Sequence, residues 1–161
     1  MNVERLQLAE KMLREVHARQ WKVTNKGALS LSMDDLHFDK KAQFDLNSWL
    51  EESPRRDCGF SACAVGHMML DSRFNELGLH FDPDWGMVGG PAYILNPEEG
   101  ADNPHSWEAV EMFFDISLSI AMHLFKKESY CDFVPRAGDV ADRILKVIED
   151  YKDFEKGIQP H

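Results

Sequence analysis

Apolar residues return every three or four positions at both ends of this chain. Val3, Leu6, Ala9, Leu13 and Val16 do so over residues 3–20, and Val140, Ile144, Val147, Ile148 and Tyr151 over residues 138–156. That spacing puts each set on one face of an α-helix, and each face must be buried against another element. Asn2 is a suitable N-cap for the first helix, and Gly157 closes the last. Between them, Leu118, Ala121, Met122 and Phe125 mark a helix over 118–127. Ser106 is placed to cap another that runs to Phe114, with Glu108 and Glu111 early in it.

The middle of the chain reads differently. A helix is expected over 60–71, with Gly78 as a C-terminal cap shortly after it, and Phe44 to Leu50 as a helical turn laid over the core. Asn25-Lys26-Gly27 is a turn signal, and Ser32-Met33-Asp34-Asp35 caps a short helix. Residues 79–95 alternate enough to form a small β-hairpin, whose second arm Gly89-Gly90-Pro91 should interrupt. Asn96 to Asn103 is a loop rich in Pro, Gly and acid. The fold class is mainly α (α+β): a compact helical single domain over residues 1–156, a hairpin near 79–95, and a flexible tail at 157–161.

Composition narrows the function classes. A chain of 161 residues that is 43% apolar can build one core without staples. Its formal net charge is −10, and its basic groupings are only pairs: Lys40-Lys41, Arg55-Arg56 and Lys126-Lys127. Such a surface repels a phosphate backbone, so direct nucleic-acid binding is not expected. No apolar run approaches bilayer length, so no membrane partner is expected either. An odd count of three cysteines and a charged start, Met1-Asn2-Val3-Glu4-Arg5, point to a reducing, cytoplasmic setting.

Chemistry concentrates in Asp57-Cys58-Gly59-Phe60-Ser61-Ala62-Cys63-Ala64-Val65-Gly66-His67. A thiolate at Cys58 would gain from a helix N-terminus and from Arg55 and Arg56, with Gly59 and Phe60 N–H groups as an oxyanion site. It still lacks a base: His67 is nine residues on, roughly 13 Å along a helix. Cys58 is therefore the one catalytic candidate and an incomplete one. Cys63 and His67, at i and i+4, share a helix face and could meet one metal ion. The spacing C-x4-C-x3-H is not a standard zinc pattern, and the expected outcome is a core-facing Cys63, a singly hydrogen-bonded His67 and no metal. No phosphate-binding glycine fingerprint is present, and no cofactor is expected. Of the four tryptophans, Trp85, in a glycine-rich loop, is a better ligand-facing candidate than Trp107.

Phe44-Asp45 with Trp49, Cys58-Gly59, and Ala62-Cys63 with Gly66-His67 together resemble the core of a group of small uncharacterised proteins of bacteria and their phages, F-D-x-x-x-W followed by C-G-T-x-A-C-x-x-G-[WH]. Phe114 to Ser117, Ala121 to Phe125 and Val140 to Ile144 resemble later parts of the same group. The chain departs from it at Phe60-Ser61. The resemblance implies a shared fold and a phage or bacterial setting, and no reaction. The expected function is a non-enzymatic cytoplasmic binding or interaction protein, phage-encoded, that modulates a host component. Its partner is a host or phage protein or a small ligand, met through Trp49, Cys58, Gly59, His67 and Trp85. Two alternatives stand beside it: a cysteine-dependent hydrolase or transferase using Cys58, and a small-molecule-sequestering protein.

Overall fold

The computed structural model describes residues 1–24, 43–47, 49–52, 60–87, 89–95, 103–131 and 133–157. The expected turn at Asn25-Lys26-Gly27, the helix after Ser32, the loop over 96–102 and the tail beyond Gly157 lie outside these residues.

The two end helices form as their spacing dictates. Helix α1 spans Val3–His17, with the Asn2 side chain accepting the Arg5 N–H, and α6 spans Ala137–Glu155. They pack antiparallel, Arg14 paired with Asp142 and the His17 ring lying over Gly138. Leu6, Ala9 and Leu13 meet Val140, Ile144 and Ile148 in one apolar cluster. Helices α4 (Ser106–Phe114) and α5 (Leu118–Phe125) add Val110, Phe113, Phe114, Leu124 and Phe125 to it. The N-cap of α4 is His105, one residue earlier than expected.

Two expectations fail in the middle of the chain. Residues 60–71 are not one helix: strand β3 (Phe60–Ala62) comes first, then α2 (Ala64–Met69), then the short α3 (Ser72–Asn75). Residues 44–50 are not a helical turn but the link between β1 (Gln43–Phe44) and β2 (Leu50–Glu52). Strand β3 lies between them, parallel to β1 and antiparallel to β2, with Leu50 opposite Ala62. Strands this short carry no readable period, and long-range pairing decides them.

The hairpin forms as β4 (Leu79–Asp82) and β5 (Gly90–Tyr93). Gly90 and Pro91 do not interrupt it; they pair with Asp82 and Phe81. Gly78, at φ +99°, turns the chain into β4.

Helix α2 is buried on every side, from Ala64 to Met69. A helix apolar all round belongs at the centre of a core, and α1, α3, β3, β4 and β5 surround this one. Gly66 faces inward. A Cβ built there would sit 1.7 Å from the Trp49 carbonyl oxygen and 2.8 Å from Ala62 Cβ. Gly66→Ala is therefore expected to lower stability by at least the upper end of the usual roughly 1–3 kcal/mol cost of overpacking. Denaturant unfolding checks this; a variant as stable as the parent would place Gly66 away from Trp49.

Candidate functional site

The Trp49 carbonyl is the fixed point of the site. Cys63 is the N-cap of α2: its Sγ accepts the Gly66 N–H at 3.3 Å and faces the Trp49 carbonyl at 3.7 Å, to which the thiol donates. Both bonds suit a neutral thiol. Burial pushes the Cys63 thiol up to about 12, against a smaller opposing pull from the Gly66 N–H. Cys63 is thus no nucleophile at neutral pH.

With its backbone held there, Trp49 packs its indole on Trp107, ring centres 4.9 Å apart and planes tilted by 60°. The two indoles line a groove of about 500 Å³. Leu46, Leu50, Phe125 and Cys63 complete its apolar surface, and Asn47, Lys126, Lys127 and Glu128 supply polar groups. Lys127 Nζ donates to Asn47 Oδ1 at 2.8 Å, joining the β1–β2 link to the turn after α5. The Asn47 amide in turn donates to Asp45. Lys126 lies 3.9 Å from the Glu128 carboxylate, which is 72% exposed.

The expected site residues separate. Trp49 lines the groove. Trp85 does not, yet it is close by: a Cβ at Gly90 would lie 3.1 Å from the Trp85 ring and 3.7 Å from Trp49 Cδ1. Gly90 therefore lies where two indoles converge, and a side chain there would press on the Trp85 ring. Trp85 also stacks on His105, whose Nε2 meets the Asp82 carboxylate at 2.8 Å. Cys58 and Gly59 lie outside the described residues; it is Cys63 that occupies the helix N-terminus.

His67 is fully buried and does not line the groove. Its Nδ1 is 2.9 Å from the Cys63 carbonyl, so that nitrogen carries the proton. Nε2 has no partner among the described residues, and Trp21 and Phe44 pack against the ring. Cys63 Sγ and His67 Nδ1 are both engaged within α2's own first turn. Among the described residues, no three His, Cys, Asp or Glu side chains gather as a metal site.

Sequence reasoning ranked Trp107 below Trp85 and set Lys126-Lys127 aside as a mere pair. Leu46, Leu50 and Phe125 gave no signal beyond their apolarity, since the groove joins three distant segments. Compared with known proteins, the chain matches no protein-family model, no curated protein and no solved structure.

Burial holds His67 down to about 4, against an ordinary value of 6.5. Above pH 6.5 the ring is neutral whether folded or unfolded. As pH falls from there towards 4, only the unfolded chain takes up the proton, so stability falls, by about 3 kcal/mol in all. His67→Phe keeps the α2 backbone bond to the Cys63 carbonyl and is expected to lose this part of the slope. Urea unfolding of both proteins across that range checks it; equal slopes would contradict the buried, neutral ring.

Proposed function

We propose that this chain is a non-enzymatic, phage-encoded binding protein of the cytoplasm that modulates a host component. The observation that carries the reading is the tryptophan-walled groove. Its volume falls within the roughly 300–1,000 Å³ usual for small-ligand pockets, and its surface combines two indoles with a few polar groups. The thiol that lines it is sealed and neutral, which favours binding over nucleophilic attack in that groove. The bacterial or phage setting rests on the resemblance of Phe44 to Trp49 and Cys58 to His67 to the small phage and bacterial proteins. Among the described residues, no helix is long and apolar enough to cross a membrane, in keeping with an aqueous setting.

The groove's concavity also favours small-molecule sequestration over a flat protein interface. The host component is then a metabolite, held away from its normal use.

Two measurements test this together. The first adds the small-molecule fraction of a bacterial cytosol while the four indole N–H resonances are followed by NMR. Trp49 and Trp107 should shift. Trp21, whose N–H is committed to buried Asp71, should not. No response at the groove indoles would contradict the reading. The second treats the folded protein with iodoacetamide near pH 6, about 2.5 units below the usual cysteine value. Cys63 should stay unmodified and Cys58 should show no fast reaction. Fast alkylation mapped to Cys58 would replace the binding reading with a cysteine-dependent hydrolase or transferase.

A further inference from the structure

Resting on the binding reading above, we infer that the groove takes an amphipathic organic anion, with a flat apolar body between the groove walls and a single acidic head at the lysines. The body is set by what the walls can offer. Trp49, Trp107, Leu46, Leu50 and Phe125 present apolar surface. The Cys63 sulfur is already engaged by the Gly66 N–H and the Trp49 carbonyl. Ligand polar groups set against these walls, away from Asn47, Lys126, Lys127 and Glu128, would go unpaired at a cost, so the part of the ligand that meets the walls is apolar. Indole faces favour a flat ring system, which they can meet edge-on or offset.

The head is set by the charges. Among the described residues, the groove lining holds two ammonium groups, Lys126 and Lys127, and one carboxylate, Glu128. Lys127 is held by a neutral acceptor, Asn47 Oδ1, and not by a carboxylate. Asp45, the far end of that hydrogen-bond chain, is not in the lining but is near enough to act on Cys63 through its charge, so it screens Lys127 in part. Glu128 stands at the outer limit of an ion pair with Lys126 and is largely in water, so it screens that ammonium weakly. The lining is thus locally positive on a chain of net charge −10. That contrast selects by size of charge: a single acidic head gains from the lysines at contact, whereas a polyanion meets the repulsion of the rest of the surface.

Two dyes with the same aromatic body separate body from head: anilinonaphthalene sulfonate carries one negative charge, and phenyl-naphthylamine carries none. Affinities are read from dye fluorescence, and the place of binding from the indole N–H resonances of Trp49 and Trp107. The expected result is that both dyes shift these resonances and the sulfonate binds more tightly. In the double variant Lys126→Glu with Lys127→Glu, the sulfonate should weaken by on the order of tenfold relative to the neutral dye, the neutral dye reporting any loosening of the groove wall that Lys127 ties to Asn47. Equal affinity for the two dyes, or a sulfonate affinity indifferent to the charge reversal, would overturn the anion inference while leaving a binding groove in place. Failure of both dyes to shift Trp49 and Trp107 would overturn the inference and count against the binding reading with it.

Discussion

One contact organises the centre of this protein: the Trp49 carbonyl oxygen against the first turn of α2. Gly66 leaves room for that oxygen because it has no Cβ. Cys63 then supplies the thiol proton to it, while its sulfur closes the helix N-terminus on the Gly66 N–H. A helix start leaves N–H groups without partners, and in a dry core each must be satisfied. Here the satisfying atom also ties the helix to the strand that follows Trp49. The indole of Trp49 is therefore aimed from a backbone carbonyl held against the first turn of α2, and a binding wall needs that rigidity.

The buried side chains around α2 that look reactive are used to build the fold. His67 and Cys63 complete α2. Asp71, almost fully buried, caps α3 and receives Trp21 Nε1 and the Arg73 guanidinium. Burial alone would raise the Asp71 carboxyl, but these bonds outweigh it and hold it below its usual range. Arg73 reaches on to Glu15 of α1, so this polar cluster fixes α3 against α1. The groove draws instead on indoles, aliphatic side chains and two lysines.

The ends of the fold were legible because α1 and α6 are long enough to show a 3.6-residue period and carry end signals at Asn2 and Gly157. The hairpin was legible from its turn residues. The sequence from Phe60 to Leu70 misled for a physical reason: it is apolar or small throughout, and a buried strand feeding a buried helix looks the same as one helix. The inward placement of Cys63 and Gly66 could be read because small residues in such a run mark close backbone approach. The groove could not be read, since Leu46, Trp49, Trp107, Phe125 and Lys127 meet only once β2 pairs with β3 and α5 docks beside them. Trp85 and Trp49 were both singled out, but Gly90, beside which they converge, was read as an interruption of the hairpin and as part of a loop open to a ligand, and not as the place where the two rings meet.

The account stands on Trp49 being held with its indole between Gly90 and Trp107. Nuclear Overhauser contacts in the free protein test this most directly. The structure requires a contact from the Trp49 ring Hδ1 to the Gly90 α-protons, and contacts between the Trp49 and Trp107 indoles. A Trp49 indole showing neither, with averaged resonances typical of a solvent-exposed ring, would contradict the groove and the function drawn from it.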